Sequence, residues 1–377
     1  MSIPDTRQSA GRLTSILSPT IDFLCVGGLA MIVLIPLLII GPAQLSIVSV
    51  GWALWAQSLI NTSHFMASYR IVYRDRATIR RYQWAAIWVP LILISVAVIG
   101  VTVSAASQPV LTGFFAVSSA YLAWHYTGQV WGMMASYTFL AGAKFEKVER
   151  WLIRASLRIL LAWHVTWFLH IAMRHPEAID PVYRLLGLAI NLSVVAGIVG
   201  ILTFRRRTGR YPPARAIVAW MSIFFWYAAL AKWGAPALFF TQLFHAIQYL
   251  EFPTRIELNR ATASAAGRVA TRMLWYTGGL VAASLIVLLV VPNSAMSIVT
   301  QLFHLPPKAV GPIFALYFLN IHHFFTDGVI WKISNPEVRK ELFAHVLNPA
   351  AATVGANPAV GQSEAGIGRE RGQMIGA

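Results

Sequence analysis

Six histidines lie in stretches otherwise built of Phe, Leu, Ile, Val and Ala: His64, His125, His164, His245, His322 and His323. Asp327 follows His323 by four residues, one helical turn on and on the same face. His322 projects about 100° around the helix from His323. An unpaired hydrogen-bonding group in apolar surroundings costs roughly 2–7 kcal/mol, so each of these side chains needs a partner. Imidazoles with one or two carboxylates and no thiolates suit iron, copper, zinc or manganese. The only cysteine, Cys25, sits in an apolar run and allows neither an intrachain disulfide nor a thiolate cluster. The candidate metal ligands are His64, His125, His245, His322, His323 and Asp327.

The elements that carry them follow from composition. The 377-residue chain is 57% hydrophobic and only 12% charged, with a mean hydropathy of +0.61. Soluble domains carry about 25% charged residues. The expected fold class is all-α, a polytopic integral membrane bundle. About 20 apolar residues make one span. Ten stretches fit: 21–41, 45–69, 84–106, 110–139, 151–172, 182–204, 216–233, 236–252, 274–291 and 310–333. The seventh and eighth are short and read as a tight hairpin, with Pro236 opening the eighth. Residues 1–20 form a polar N-terminal segment, 21–347 the helical domain, and the Ala-, Gly- and Pro-rich tail 348–377 is expected to be disordered. The first apolar run lacks a small-residue cleavage pattern and reads as a span rather than a signal peptide. The connection 292–309, with three prolines and an amphipathic middle, is expected at the outer interface.

Net charge is +16, which in a soluble chain would point to nucleic acid. Here the basic residues fall in loops. Of 30 Lys and Arg residues, all but Arg174, Arg184, Lys232 and Lys308 fall on one side of the ten-span layout. That asymmetry follows the positive-inside rule and predicts both termini in the cytoplasm, in a multi-pass protein of the inner (cytoplasmic) membrane.

Direction then sets depth. The second, fourth, eighth and tenth spans all run from outside to inside. His64 stands six residues before Arg70, His245 ten before Arg255 and His323 nine before Lys332. At 1.5 Å per residue these three share a level within about a turn, in the cytoplasmic half of the bilayer. His125 joins them if its 30-residue segment projects into the cytoplasm, and Asp22 enters the first span at a matching level. A single membrane histidine is more often a hydrogen-bonding residue between helices than a ligand. Several at one depth say more. Each also has a polar neighbour one turn on: Ser68 after His64, Gln129 after His125, Gln248 and Tyr249 after His245, and Asp327 after His323. Metal-bound imidazoles commonly hydrogen-bond such groups through the second nitrogen. His170, His175, His304 and His345 lie at or beyond helix ends and read as surface groups.

Single histidines scattered over several spans, without cysteine, resemble the membrane-embedded β-carotene dioxygenases of the bacteriorhodopsin-related-protein type. That resemblance implies an all-helical non-haem iron enzyme whose histidine ligands come from different helices. It makes His64, His125, His245 and the His322–His323 pair the ligand candidates. The larger desaturase and hydroxylase group is similar in chemistry, but Leu319 stands where its HxxHH box has the leading histidine, and no HxxxH occurs. The layout is also similar to that of bacterial polytopic membrane proteins without an assigned activity. The expected function is a histidine-ligated non-haem iron oxygenase acting on a lipid-like or isoprenoid substrate, with no nucleic-acid partner and no electron donor identifiable in the chain. Two other classes stay open. One is a proton- or ion-coupled transporter that uses Asp22, Asp327 and the histidines as a relay. The other is a carrier of haem held by two histidines.

Overall fold

The computed structural model describes residues 14–41, 51–104, 108–172, 176–264, 268–290, 318–333 and 335–347. The interfacial reading of 292–309 and the disordered tail from 348 fall outside these residues. Every regular element among them is helical. In chain order they are α1 (Pro19–Ile40), α2 (Gly51–Val72), the short α3 (Arg76–Arg81) and α4, a π-turn at Trp84–Trp88 running into Val89–Ser104. Next come α5 (Gln108–Leu140), α6 (Lys147–Ala172), α7 (Asp180–Thr208) and α8 (Ala214–Trp233). The chain then forms α9 (Leu238–Ser264), α10 (Val269–Leu285), α11 (Asn320–Ile330), α12 (Pro336–Leu342) and α13 (Ala344–Leu347).

Each of the ten predicted stretches lies mainly on a helix as far as it is described, the last leaving the helix after Ile330. Five segments are long and apolar enough to cross a membrane: Pro19–Ile40, Lys147–Ile171, Asp180–Thr208, Ala214–Trp233 and Val269–Leu289. This is consistent with a membrane protein. On α7 the exposed Leu185, Leu188, Leu192 and Val195 recur every three or four residues and form an outward apolar stripe. A stripe of that kind is stable against lipid, not water.

The start of α1 shows how local chemistry sets an element. Ser18 caps it, accepting from the Ile21 N–H at 3.2 Å, and Pro19 supplies a pre-set φ in the first turn. The next turns form a π-bulge at Leu24–Gly28, where Gly27 has φ +146°. A Cβ there would stand 2.4 Å from Ser222 Cβ of α8, so only glycine permits both the conformation and the close approach.

The α8–α9 hairpin forms as predicted, through Gly234 (φ +68°) and a 3₁₀ turn at Ala235–Ala237. The helix outruns the expected span 236–252. Helix α9 continues through Pro253 to Ser264, because the turns beyond it bury Ile256, Glu257 and Ala261. Tertiary packing outweighs the one backbone hydrogen bond that proline removes.

Helix α2 packs against α9, α10 and α11; α11 also packs on α5, and α5 on α6 and α8. The main core holds the fully buried Tyr126, Tyr137, Trp226 and Tyr227. The polar site lies beside it, where α2, α5, α9 and α11 meet.

Candidate metal centre

Five of the six expected ligands converge, four histidines and Asp327. His64 of α2, His125 of α5, His245 of α9 and His323 of α11 each present a ring nitrogen, and all four nitrogens lie within 4.8 Å of one another. All four side chains are buried, His323 completely. The rings pack edge to face: 4.6 Å between the centroids of His64 and His323, 5.0 Å for His64 and His245, and 4.8 Å for His125 and His245. His125 Nε2 and His245 Nε2 are 3.2 Å apart. Two imidazole nitrogens at that distance share either a proton or a cation.

Asp327 belongs to the same group. Its Oδ2 is 3.1 Å from His323 Nε2 and 3.6 Å from His125 Nε2. Neither His323 Nε2 nor Asp327 Oδ2 makes an aligned hydrogen bond, and both nitrogens of His64 and Nδ1 of His245 are likewise without a partner. Each such buried polar atom costs about 1–3 kcal/mol. Four imidazoles and a carboxylate with unspent lone pairs at one point are a donor set suited to a transition metal. Two ligands on one ion, each bonded at about 2.0–2.1 Å, stand at most about 4.2 Å apart. A pair near 4.8 Å must therefore close by roughly 0.6 Å or more when an ion binds.

The surrounding groups orient this set. Ser68 Oγ and Tyr249 OH lie 2.9 and 2.7 Å from Asp327 Oδ1, and Ser68 Oγ also contacts Tyr249 OH closely. Ser68 Oγ is 3.0 Å from His323 Nδ1 as well. With Asp327 as a carboxylate, which can only accept, Ser68 can donate to it and accept from His323 Nδ1–H; the Ser68 hydroxyl also reaches the His64 carbonyl at 3.3 Å. In that arrangement the Nε2 lone pair of His323 turns to the centre. Trp331 Nε1–H donates to Tyr249 OH at 2.8 Å and completes the chain. The polar neighbours expected one turn on thus act mostly across helices. Ser68 serves the His323–Asp327 pair. Gln129 donates to the His245 carbonyl at 3.1 Å and to Gln248 Oε1 at 2.9 Å, while Gln248 donates to the Val26 carbonyl at 2.6 Å.

His322 is not in the group. Its Nε2 donates to the Ala85 carbonyl at 3.0 Å, and its ring stacks on Tyr69 at 5.0 Å. The reason lies in α4. Val89 N–H bonds back to Trp84 in the π-turn, and Pro90 has no N–H to return to this turn. His322 covers the Ala85 carbonyl, and Tyr73 OH donates to Ala86 at 2.7 Å. Adjacent helical residues diverge too far for His322 and His323 to face one point. The signal for this was Pro90 inside a predicted helix, which leaves a carbonyl in want of a donor.

His164 and Asp22 also lie apart. His164 Nδ1 is 3.0 Å from Tyr227 OH, against the aromatic core. Asp22 accepts from the N–H groups of Ile16 (2.7 Å), Leu17 (2.8 Å) and Ser18 (3.0 Å) and from Arg215 (2.9 Å). It anchors the entry to α1. Glu251 bonds the Tyr137 hydroxyl. Ser68, Tyr249 and Trp331 as one proton-ordering chain were missed by sequence reasoning, because the chain forms between helices.

No protein-family model, no curated protein and no solved structure matches this chain.

Proposed function

We propose that the chain is an integral membrane metalloenzyme: a histidine-ligated non-haem iron oxygenase acting on a lipid-like or isoprenoid substrate. In this reading ten helices cross the inner (cytoplasmic) membrane with both termini in the cytoplasm, a layout that the asymmetry of Lys and Arg supports. The observation that carries it is the convergence of four buried histidines from four helices, with nitrogens of His64, His245 and His323 that make no aligned hydrogen bond. His64, His125, His245 and His323 would hold the ion, and Asp327 would be a further ligand or accept a proton beside it. Iron bound there would supply oxygen activation. The protein's own part is to hold the nitrogens, exclude water and align an apolar molecule arriving from the bilayer.

Of the other classes, the haem reading is served less well. The rings crowd one point, whereas a macrocycle needs a slot between its axial ligands. A relay through Asp22 is served less well too, since that carboxylate already accepts four hydrogen bonds.

The test is metal analysis with absorption spectra on detergent-purified protein, loaded anaerobically with ferrous ion. About one iron per chain is expected, and His323→Ala should lose most of it. A wild-type protein that retains no iron, copper, zinc or manganese after loading would sink the proposal.

A further inference from the structure

The metal centre has an open wall. Between α5 and α11 lies a cavity of about 430 Å³, with His125 and Asp327 at its inner end and Trp124, Phe324 and Trp331 along its sides. A second cavity of about 530 Å³ shares Trp124, Phe324, Gly328 and Lys332 with the first and continues past Tyr121 to Trp84. Trp84 and Trp124 are 58% and 53% exposed, so this end opens on the outer surface of the bundle. Each volume falls in the range of ligand pockets, about 300–1,000 Å³.

Three features of the lining indicate what fits. The first is a set of glycines. At Gly128 and Gly132 of α5 and Gly328 of α11, an added Cβ would meet no atom within 4 Å. At Gly27 and Gly197 the same atom would strike Ser222 or Trp220, so those glycines serve helix packing. Gly128, Gly132 and Gly328 instead leave room in the cavity. The second is Asp327, which lines the first cavity and whose Oδ2 makes no aligned hydrogen bond. The third is Lys332. It lines both cavities, and no ion pair among the described residues includes it. Apart from Lys332 and the metal-centre residues, the lining is mostly aromatic and glycine.

We infer that the two cavities form one binding site for a single-chain anionic amphiphile, a carboxylate or phosphate on one long apolar chain. The head sits at Lys332, and the chain runs between Trp124 and Phe324 along the glycine-lined wall. Lys332 stands five residues after Asp327, just beyond the end of α11 at Ile330, and both line the first cavity. On the metalloenzyme reading, on which this step rests, carbons near the head and not the far end stand opposite His125 and Asp327. A substrate with two apolar ends would leave Lys332 without a role.

Binding is measured on metal-free protein in nanodiscs of zwitterionic phosphatidylcholine, by quenching of tryptophan fluorescence. The probes are a long-chain dibrominated carboxylic acid, the matching alkyl phosphate and the methyl ester of the acid. Saturable quenching by the acid, the phosphate or both is expected, with the ester about tenfold weaker. Lys332→Gln should remove that preference, and Gly128→Leu should remove saturable quenching. Gly128→Ala should weaken binding while melting no lower than wild type, which separates loss of room from loss of fold. Equal affinity for acid and ester, acid preference surviving Lys332→Gln, or saturable binding unchanged in Gly128→Leu would overturn the site. A chain that binds the acid but takes up no metal would defeat the metalloenzyme reading and leave this site standing.

Discussion

Two buried polar groups in this chain carry similar residues and opposite bookkeeping of hydrogen bonds. At the entry to α1, Asp22 accepts three backbone N–H groups and the Arg215 guanidinium, which uses the four lone-pair sites of a carboxylate. At the meeting of α2, α5, α9 and α11, one oxygen of Asp327 accepts two hydrogen bonds while the other lies 3.1 Å from His323 Nε2 without an aligned one, and neither nitrogen of His64 makes one. The first group is closed and holds the fold. The second leaves donor atoms without protein partners, an arrangement compatible with a metal site. The same contrast separates Gly27, which packs against Ser222, from Gly128, which faces empty space.

This contrast makes the two groups respond differently to substitution. Asp22→Ala should have the largest effect on stability. It leaves Arg215 and three N–H groups without their acceptor, a loss of about 3–5 kcal/mol for a broken buried pair. Chemical or thermal unfolding in detergent reads it, and metal per folded chain should not change. Unaltered stability would mean that the α1 anchor is not closed as described.

His64→Leu should act in the opposite sense. Removing buried nitrogens that make no aligned hydrogen bond should leave the metal-free protein at least as stable as wild type, while metal uptake falls. A metal-free protein destabilised by several kcal/mol would show that His64 has structural partners after all. Ser68→Ala should come next. It frees the His323 tautomer and removes a donor to Asp327, and loss of such a supporting group typically weakens metal affinity 10–100-fold. Competition with a chelator measures it; affinity within about twofold of wild type, well short of that range, would place Ser68 outside the centre.

The smallest effect concerns pH. His345, near the C-terminal end of the described chain, has its pKa lowered from 6.5 to about 4, first by burial and then by the charge of Arg255. The fold holds it neutral, with Nε2 2.8 Å from the Ser15 carbonyl. Its contribution to stability is complete above pH 6.5 and is lost as pH falls from there towards about 4, because the unfolded chain takes up the proton first. His345→Gln should flatten that part of the pH–stability curve, and an unchanged slope would assign the acid sensitivity elsewhere.

Much of this was legible in the residues. The apolar stretches mark the helices, since an apolar run of that length must be helical in lipid and is readable without knowing its neighbours. His323 and Asp327 fall on one face because the helical repeat alone sets that relation. His64 and His245 follow from depth, which the loop charges supplied. His322 did not follow. Its fate depended on a carbonyl in another helix that Pro90 could not serve. Ser68 was noticed as a neighbour of His64 but works for His323 and Asp327, because two helices must be brought together before a hydroxyl can choose its acceptor.

The sequence by itself determined that the chain is helical and apolar, that any metal would be held by nitrogen and oxygen, and which side chains were too polar for their surroundings. These are properties of composition and of the 3.6-residue repeat, and no packing enters them. Only the tertiary structure decided which histidines meet, which nitrogen of His323 is free, and where space remains beside them. Each of those depends on distances between segments far apart in the chain, and those distances come from side chains packing across helices.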